Sequence, residues 1–348
     1  MNENFPLLSI IIVSLNRKKD LLNCLKSIFS QIYKHYEILL IDNGSSDGSA
    51  EAVKEKFPEV RIFKTNKNLG TSYTRNAGVN FSKGDLIWFL DSDVYLEDIY
   101  TLKNLIQLFI DDQEIDGIGG EAKINNNGKI IGTKKLKLYA NGLTKGYFYE
   151  NAENKKISVK IIPTCNLLIK KEAIKEVGGF DHFYFFYLED MDLTYRISQR
   201  GFKLIVYHKC PVVHHFSESL RFSNHFKSKR NRIYFLLKNQ GLISIIFLPF
   251  NDLLYLVNLD NLKRIYQKFF QRQRIYKHLV TENKKKITIK NVFDTFKTTS
   301  IITLSILTSY IYIPIFLFKY NFKLRKKINF LNLIKQENFT FLNKKVTK

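Results

Sequence analysis

Asp91 and Asp93 stand one residue apart at the end of the apolar run Leu86-Ile87-Trp88-Phe89-Leu90. Two carboxylates there are hard oxygen donors, and hard donors where a strand leaves the core suit Mg2+ or Mn2+ carrying a phosphate-bearing substrate. With Ser92 between them the triplet alone would equally make a plain turn. Chemistry is also concentrated at Glu189-Asp190-Met191-Asp192, at His214-His215, and in three loops rich in short polar residues and glycine. Those loops are Ser14-Leu15-Asn16-Arg17, the stretch Asp42-Asn43-Gly44-Ser45-Ser46-Asp47-Gly48-Ser49, and Asn66-Lys67-Asn68-Leu69-Gly70, which leads into a segment carrying Arg75. Glycine admits close backbone approach and a helix N-terminus favours phosphate, so together they have the composition of a nucleotide pocket. Each Asn-Gly or Asp-Gly taken separately would only make a turn.

The elements that must position these groups can be read from hydrophobic patterning. Residues 8–13, 37–41, 60–63 and 86–90 are β-branched or bulky apolar runs, each short enough to be a buried strand. Between the first two, Leu21, Leu22, Leu25, Ile28 and Phe29 recur at helical spacing, and residues 49–57 form a second helical stretch with Ser49 as an N-cap candidate. Strands alternating with helices predict a mostly parallel, Rossmann-like α/β sheet, whose carboxyl edge collects ligands.

The ordered motifs resemble the inverting glycosyltransferases of family two, which bind nucleotide-sugars on a GT-A fold. The resemblance covers roughly residues 5–225. It rests on the opening strand with Ser14–Arg17, on Ile41 to Ser49, on Asn68-Leu69-Gly70 through Arg75-Asn76-Ala77-Gly78, and on Asp91-Ser92-Asp93. Further along it rests on Gly178-Gly179-Phe180-Asp181, Glu189 to Arg196, Gly201-Phe202-Lys203, and His215 with Ser219. Within the family the chain looks most like the bacterial and archaeal branch that includes rhamnosyltransferases and other builders of surface polysaccharide.

The resemblance implies a division of roles. Ser14, Asn16, Arg17, Asp42, Gly70, Arg75 and Asp91 would bind the donor, with Asp42 accepting from the base N3–H of a UDP- or dTDP-sugar. Asp93 and Asp91 would hold Mn2+ or Mg2+ against the diphosphate. His215 is favoured as a further ligand, with His214 left open because strand alternation sends the two to opposite faces. Asp190 would be the base that takes the acceptor's proton, Glu189 being the second candidate, and a purely structural acidic cluster at a helix start being the alternative. Asp192 and Arg196, four apart, are expected to pair. Arg75 would either touch the donor or lie on an exposed helix face. Thr164-Cys165-Asn166 would border the acceptor, and the aromatic run Phe183–Tyr187 would stack on sugar or fill core.

Charge divides the chain. Lys and Arg number 30 against 27 Asp and Glu up to Phe226, and 25 against 5 beyond it. Residues 226–348 therefore form a basic C-terminal region following a catalytic domain over 5–225. Residues 300–318 are 19 uncharged, largely apolar positions bracketed by lysines, which is borderline for a span and interrupted by Pro314. Residues 242–259 resemble an interfacial or packed helix pair. Basic residues around apolar helices fit an anionic membrane surface, and peripheral or monotopic association is the expectation. No nucleic-acid partner is expected, since no binding motif accompanies the charge.

Other readings fit less of the chain. A processive synthase would carry Gln-x-x-Arg-Trp, whereas Gln271-Arg272-Gln273-Arg274-Ile275 lacks the Trp. A nucleotidyltransferase would open with a glycine-rich first loop, and Ser14–Arg17 has no glycine. An inactive nucleotide-sugar-binding scaffold is opposed by the presence of Asp93 and Asp190. Three cysteines without metal spacing, and no signal-peptide pattern at the N-terminus, predict a cytoplasmic enzyme at the inner face of the cell membrane, acting on a glycan or lipid-linked acceptor.

Overall fold

The computed structural model describes residues 6–126, 129–131, 135–138, 142, 144–147, 156–215, 225–248 and 329–342. The chain begins with β1 (Leu8–Ser14), α1 (Lys18–Phe29), β2 (Tyr36–Asp42), α2 (Ser49–Lys56), β3 (Arg61–Lys64), α3 (Thr71–Phe81) and β4 (Leu86–Asp91). Each expected strand and helix of the first ninety residues is thus present within a residue or two. Then follow β5 (Val94–Tyr95), α4 (Thr101–Asp111), β6 (Ile115–Asn126), β7 (Lys129–Ile131), β8 (Lys135–Leu138), β9 (Thr144–Tyr147), β10 (Ile157–Ser158) and β11 (Asn166–Lys170). The remainder comprises α5 (Lys171–Glu176), α6 (Glu189–Gln199), β12 (Lys203–His215), α7 (His225–Gln240), α8 (Leu242–Ile246), two short 3-10 turns (Phe330–Leu333 and Gln336–Asn338) and β13 (Thr340–Phe341).

The main sheet runs β10-β12-β6-β11-β4-β1-β2-β3-β13. β1 pairs parallel with both β2 and β4, and β2 with β3, as right-handed crossovers through α1, α2 and α3 require. The sheet is mixed rather than purely parallel, because β11 enters antiparallel between β4 and β6. β5 pairs with the far end of β12, and β8 with β9 in a separate ribbon. Strands buried on both faces share their side chains between two cores. Ile10, Ile12, Trp88 and Leu90 enter one core, whereas Ile11, Ile87 and Phe89 enter the other. The Trp88 indole is accommodated by donating to Asn166 Oδ1 at 3.0 Å.

One local expectation needs correcting. Gly48, not Ser49, occupies the cap of α2, with φ 75°, and makes no side-chain cap bond. Asp47 does that work instead, its Oδ1 accepting from Ser49 N at 3.0 Å.

The chain separates into two compact units, one of Met1–Leu138, Thr144–Lys227 and Lys327–Lys348, the other of Tyr139–Leu143 and Ser228–Lys326. The first unit holds the sheet, and it includes the chain's last stretch, which an undivided basic region over 226–348 did not anticipate. In the second unit α8 exposes Ile243 and Phe247, 69% and 56% accessible, along with Ile246 between them. Among the described residues no helix is long and apolar enough to cross a membrane. Residues 300–318 and Ser219 lie outside the described residues.

Candidate active site

The carboxyl ends of β1, β2 and β4 are adjacent in register, Ser14 beside Asp42 and Val13 beside Asp91. That geometry, set by parallel pairing alone, delivers the first, second and fourth loops to one edge.

At the β4 corner Asp91, Asp93 and His214 each offer one ligand atom, and these atoms lie within 4.8 Å of one another. Two carboxylate oxygens and an imidazole nitrogen converging in a partly buried corner fit a Mn2+ or Mg2+ ion. His214 is carried there by β12, where it pairs with Val94 of β5, and its Nε2 is 3.0 Å from Asp93 Oδ1. The favoured His215 is therefore displaced by its neighbour. His215 is 58% exposed and faces Asp20, with Nδ1 at 3.5 Å, while only its backbone N–H reaches the site, donating to Asp93 O at 2.8 Å. Burial pulls the His214 pKa down, but the hydrogen bond and charge of Asp93 outweigh it and raise it overall. Arg17 Nη1 stands 3.6 Å from Asp93 Oδ2 and 3.3 Å from Asp20 Oδ2.

Arg75 is no exposed helix residue. Its side chain is 8% accessible, and it donates from Nη1 to Glu189 Oε1 at 2.7 Å and from Nη2 to Asp91 Oδ1 at 3.1 Å. The guanidinium also lies over the Phe180 ring at 5.8 Å. It is thus a rigid bridge between the end of β4 and the start of α6, a role for which a planar fork is suited. Thr71 Oγ1 donates to the same Glu189 oxygen at 2.9 Å. Glu189 Oε2 is buried without a hydrogen-bond partner.

Beside Glu189, Asp190 Oδ1 accepts from Met191 N at 2.8 Å and Oδ2 from Thr164 N at 3.4 Å. Burial and the Glu189 charge push its pKa up to about 7, against the pull of Arg75. A carboxylate poised there can both hold and release a proton near neutrality. Asp192 faces away, into a structural pair: Arg196 Nε donates to its Oδ2 at 2.8 Å, as their spacing predicts, and Tyr184 Oη donates to its Oδ1 at 3.0 Å. Cys165 stands among the site carboxylates, and burial followed by the charges of Asp91, Asp190 and Asp93 keeps its thiol protonated. The aromatic run divides: Tyr184 is core, whereas Phe186 is 37% exposed.

The nucleotide-type loops are stitched to one another. Asn16, with φ 53°, donates its N–H to Ser45 Oγ at 2.9 Å and accepts from Ser46 N at 2.8 Å through Oδ1. Asn43 Oδ1 accepts from Leu69 N at 2.8 Å, and its Nδ2 donates to Asn68 Oδ1 at 2.9 Å. Gly70 has φ 85°, and a Cβ there would sit 2.6 Å from the Phe185 ring, so only glycine closes this junction without strain. Asp42 is fully buried; Oδ1 accepts from Ser45 N at 2.8 Å, while Oδ2 has no hydrogen-bond partner and only Lys64 Nζ at 4.0 Å. The neighbouring Ser14 Oγ is likewise buried without a partner. Two orphaned polar atoms at adjacent strand ends are what a site awaiting a polar ligand leaves.

Comparison with known proteins follows the geometry. The family model described as glycosyl transferase family 2 matches residues 9–178. Glycosyltransferase AglE of Haloferax volcanii is 25% identical over 234 residues, 64% of this chain and 72% of that protein. The N-acetylglucosaminyl-diphospho-decaprenol L-rhamnosyltransferase of Mycobacterium tuberculosis is 27% identical over 212 residues, 52% of this chain and 67% of that one. Among solved structures, GalNAc-T7 with UDP, GalNAc and Mn2+ aligns with a TM-score of 0.58 at 20% identity, over 68% of this chain and 48% of its own. The α/β sheet described above is thus a GT-A fold.

Proposed function

We propose that this chain, whose residues 9–178 match the family model described as glycosyl transferase family 2, is a metal-dependent inverting transferase that moves a sugar from a UDP- or dTDP-donor to a glycan or lipid-linked acceptor for cell-surface glycan. The observation that carries this reading is the cation corner, Asp91, Asp93 and His214, tied by Arg75 to Glu189, the chain neighbour of Asp190, whose carboxyl has a raised pKa.

In that reading the acceptor hydroxyl oxygen attacks the anomeric carbon as the bond from that carbon to the diphosphate oxygen breaks. The hydroxyl proton passes to the Asp190 carboxylate. A divalent cation, when bound, would supply positive charge against the diphosphate. Asp91, Asp93 and His214 would hold it, and Arg17 is close enough to share the diphosphate's charge. Asp42 Oδ2 offers the base an unpaired acceptor, and Ser14, Asn16 and Gly70 shape the pocket around it. Thr164 N–H aims Asp190, and Arg75 sets the separation of donor and base.

The sheet-bearing residues, 5–225 with the returning stretch 329–342, are assigned to transfer and the rest of the basic region over 226–348 to an anionic membrane surface, which would hold the enzyme at the cytoplasmic face. Ile243, Ile246 and Phe247, exposed at i, i+3 and i+4, support that attachment.

The test is isothermal titration of the full chain with UDP, dTDP, GDP and ADP, each with and without Mn2+. Metal-dependent binding of UDP or dTDP alone is expected. No binding by any nucleotide would favour a scaffold that has lost its donor site.

A further inference from the structure

We propose that Asn329–Leu342 is a positioning strap for the active site: seated across α3 and β3, it fixes the helix that carries Arg75, and through Arg75 the approach of Asp91 to Glu189. For its consequence on turnover this rests on the transferase reading; the contact itself does not.

The strap is held by side chains along its whole length. Leu331, 6% exposed, packs into the second core, and its N–H donates to Gly178 O at 3.2 Å while its carbonyl accepts from Asn80 Nδ2 at 2.7 Å. The Tyr73 hydroxyl accepts from Lys335 N at 2.9 Å and from Asn338 Nδ2 at 2.8 Å. Phe339 stacks on Tyr73 at 6.0 Å and meets Phe81 edge-on at 5.4 Å. Beyond it β13 adds to the edge of β3, with Phe341 beside Phe63, and Leu342 N donates to Ile62 O at 3.1 Å. This is strand addition with side-chain anchors, the mode by which domains capture extended peptides; here the peptide belongs to the same chain.

What it grips explains why the grip matters. Tyr73, Asn76 and Asn80 lie at i, i+3 and i+7 of α3, one stripe, while Thr71 and Arg75 lie at i and i+4 on the stripe facing the site. α3 has eleven residues and no side-chain cap bond at its start, so its placement depends on tertiary contacts. A second path runs beneath it. Gly179, with φ 80°, brings its backbone so close to Leu331 that a Cβ would meet Leu331 Cγ at 2.8 Å. The next residue, Phe180, exchanges both backbone hydrogen bonds with the Asn76 amide, at 2.8 Å each, and carries the ring under the Arg75 guanidinium. At the other end of α3, Thr71 N donates to Phe185 O at 2.7 Å, in a segment where Phe185, Tyr187 and Leu188 all hold positive φ. Such a segment keeps its shape only while its surroundings enforce it. Strap, α3 and the approach to Glu189 therefore form one mechanical series.

The test is hydrogen exchange on the full chain, wild type against Leu331→Asp, Leu331→Met and Tyr73→Phe, with turnover measured on the nucleotide-sugar class that the titration identifies. Leu331→Asp is expected to raise exchange at least tenfold in 329–342, in 71–81 and in 185–192 while β1, β2 and β4 keep their protection. Its kcat should fall tenfold or more with donor KM within twofold, and Leu331→Met should restore both. A freed 329–342 beside wild-type protection of 71–81 and wild-type kcat would overturn the proposal, as would failure of the substitution to free 329–342. If Leu331→Asp loses protection throughout the sheet, Tyr73→Phe decides: two- to fivefold faster exchange confined to 329–342 and 71–81 supports the strap, and an unchanged pattern rejects it. Absence of turnover in the wild type would sink the transferase reading, and the exchange arm would still decide the strap.

Discussion

The two sides of the site are held together in different ways. On the donor side the loops after β1, β2 and β3 are knitted by short side chains to one another's backbone N–H groups, as Asn16 is to Ser46 and Asn43 to Leu69. On the base side, charged side chains meet across a long stretch of chain, Arg75 with Glu189. Amide-to-backbone stitching fixes shape with neutral groups and tolerates solvent. Buried ion pairs fix separation, at the risk that losing one partner strands the other. The first kind of construction suits cradling a ligand; the second suits holding reacting groups at a set distance.

Breaking the base side chemically should give the largest effect. Asp190→Asn is expected to lower kcat by about 10³-fold, within the range for a lost general base, while calorimetry shows UDP and Mn2+ binding as in the wild type. Because Asp190 titrates near 7, log kcat/KM in the wild type should climb with unit slope up to about pH 7 and then level. A profile flat from pH 5 to 8 would reject the assignment.

Breaking the bridge should harm both sides together. Arg75→Met leaves the buried Glu189 and the partly exposed Asp91 without their cation and should destabilise the fold by about 3 kcal/mol, read by denaturant unfolding. If instead stability holds and only donor binding weakens, Arg75 is a ligand contact and the two sides are independent.

The histidines separate the sides more finely. His214→Ala should weaken Mn2+ binding by about tenfold or more, whereas His215→Ala should leave it within about twofold. Equal effects would mean that the β12 face has been misassigned.

On the donor side Gly70→Ala, which needs φ 85° and space occupied by Phe185, should cost about 2 kcal/mol of stability with little change in the pH profile. A further prediction concerns pH and stability. An unfolded Asp titrates near 3.9 and folded Asp190 near 7, so the folded state holds the proton longer. Stability from this group is therefore full below about pH 4 and lost as pH rises through 7. Asp190→Asn, which does not titrate, should raise Tm relative to wild type more at pH 8 than at pH 4.

What the residues disclosed in advance follows the same division. The four parallel strands, the loops at their ends and Asp91 with Asp93 are local features, written in runs of consecutive residues, and they were legible. The antiparallel entry of β11, the burial of Arg75 and the choice between His214 and His215 depend on contacts between residues about a hundred positions apart, for which a single chain carries no local mark. One signal was available for Arg75: it follows Gly70 by five residues, one turn into the helix that the glycine-bearing loop opens. Nothing in the basic C-terminal composition announced that Leu331, Phe339 and Phe341 would return to the sheet, since the apolar residues from Phe330 to Leu342 keep neither a helical nor a strand period over the stretch.

β12 reaches the site only after an irregularity, advancing five residues from Tyr207 to Val212 while its partner β6 advances two, from Gly120 to Ala122. The slack in that count decides parity, and with it which of two adjacent imidazoles points at Asp93. Deleting a single residue from 208–211 would keep every side chain of the metal corner in the sequence and yet hand the inward seat from His214 to His215. Spacing between motifs is therefore an odd-or-even code here, and one uncounted residue in β12, a few positions before His214, is enough to misread it.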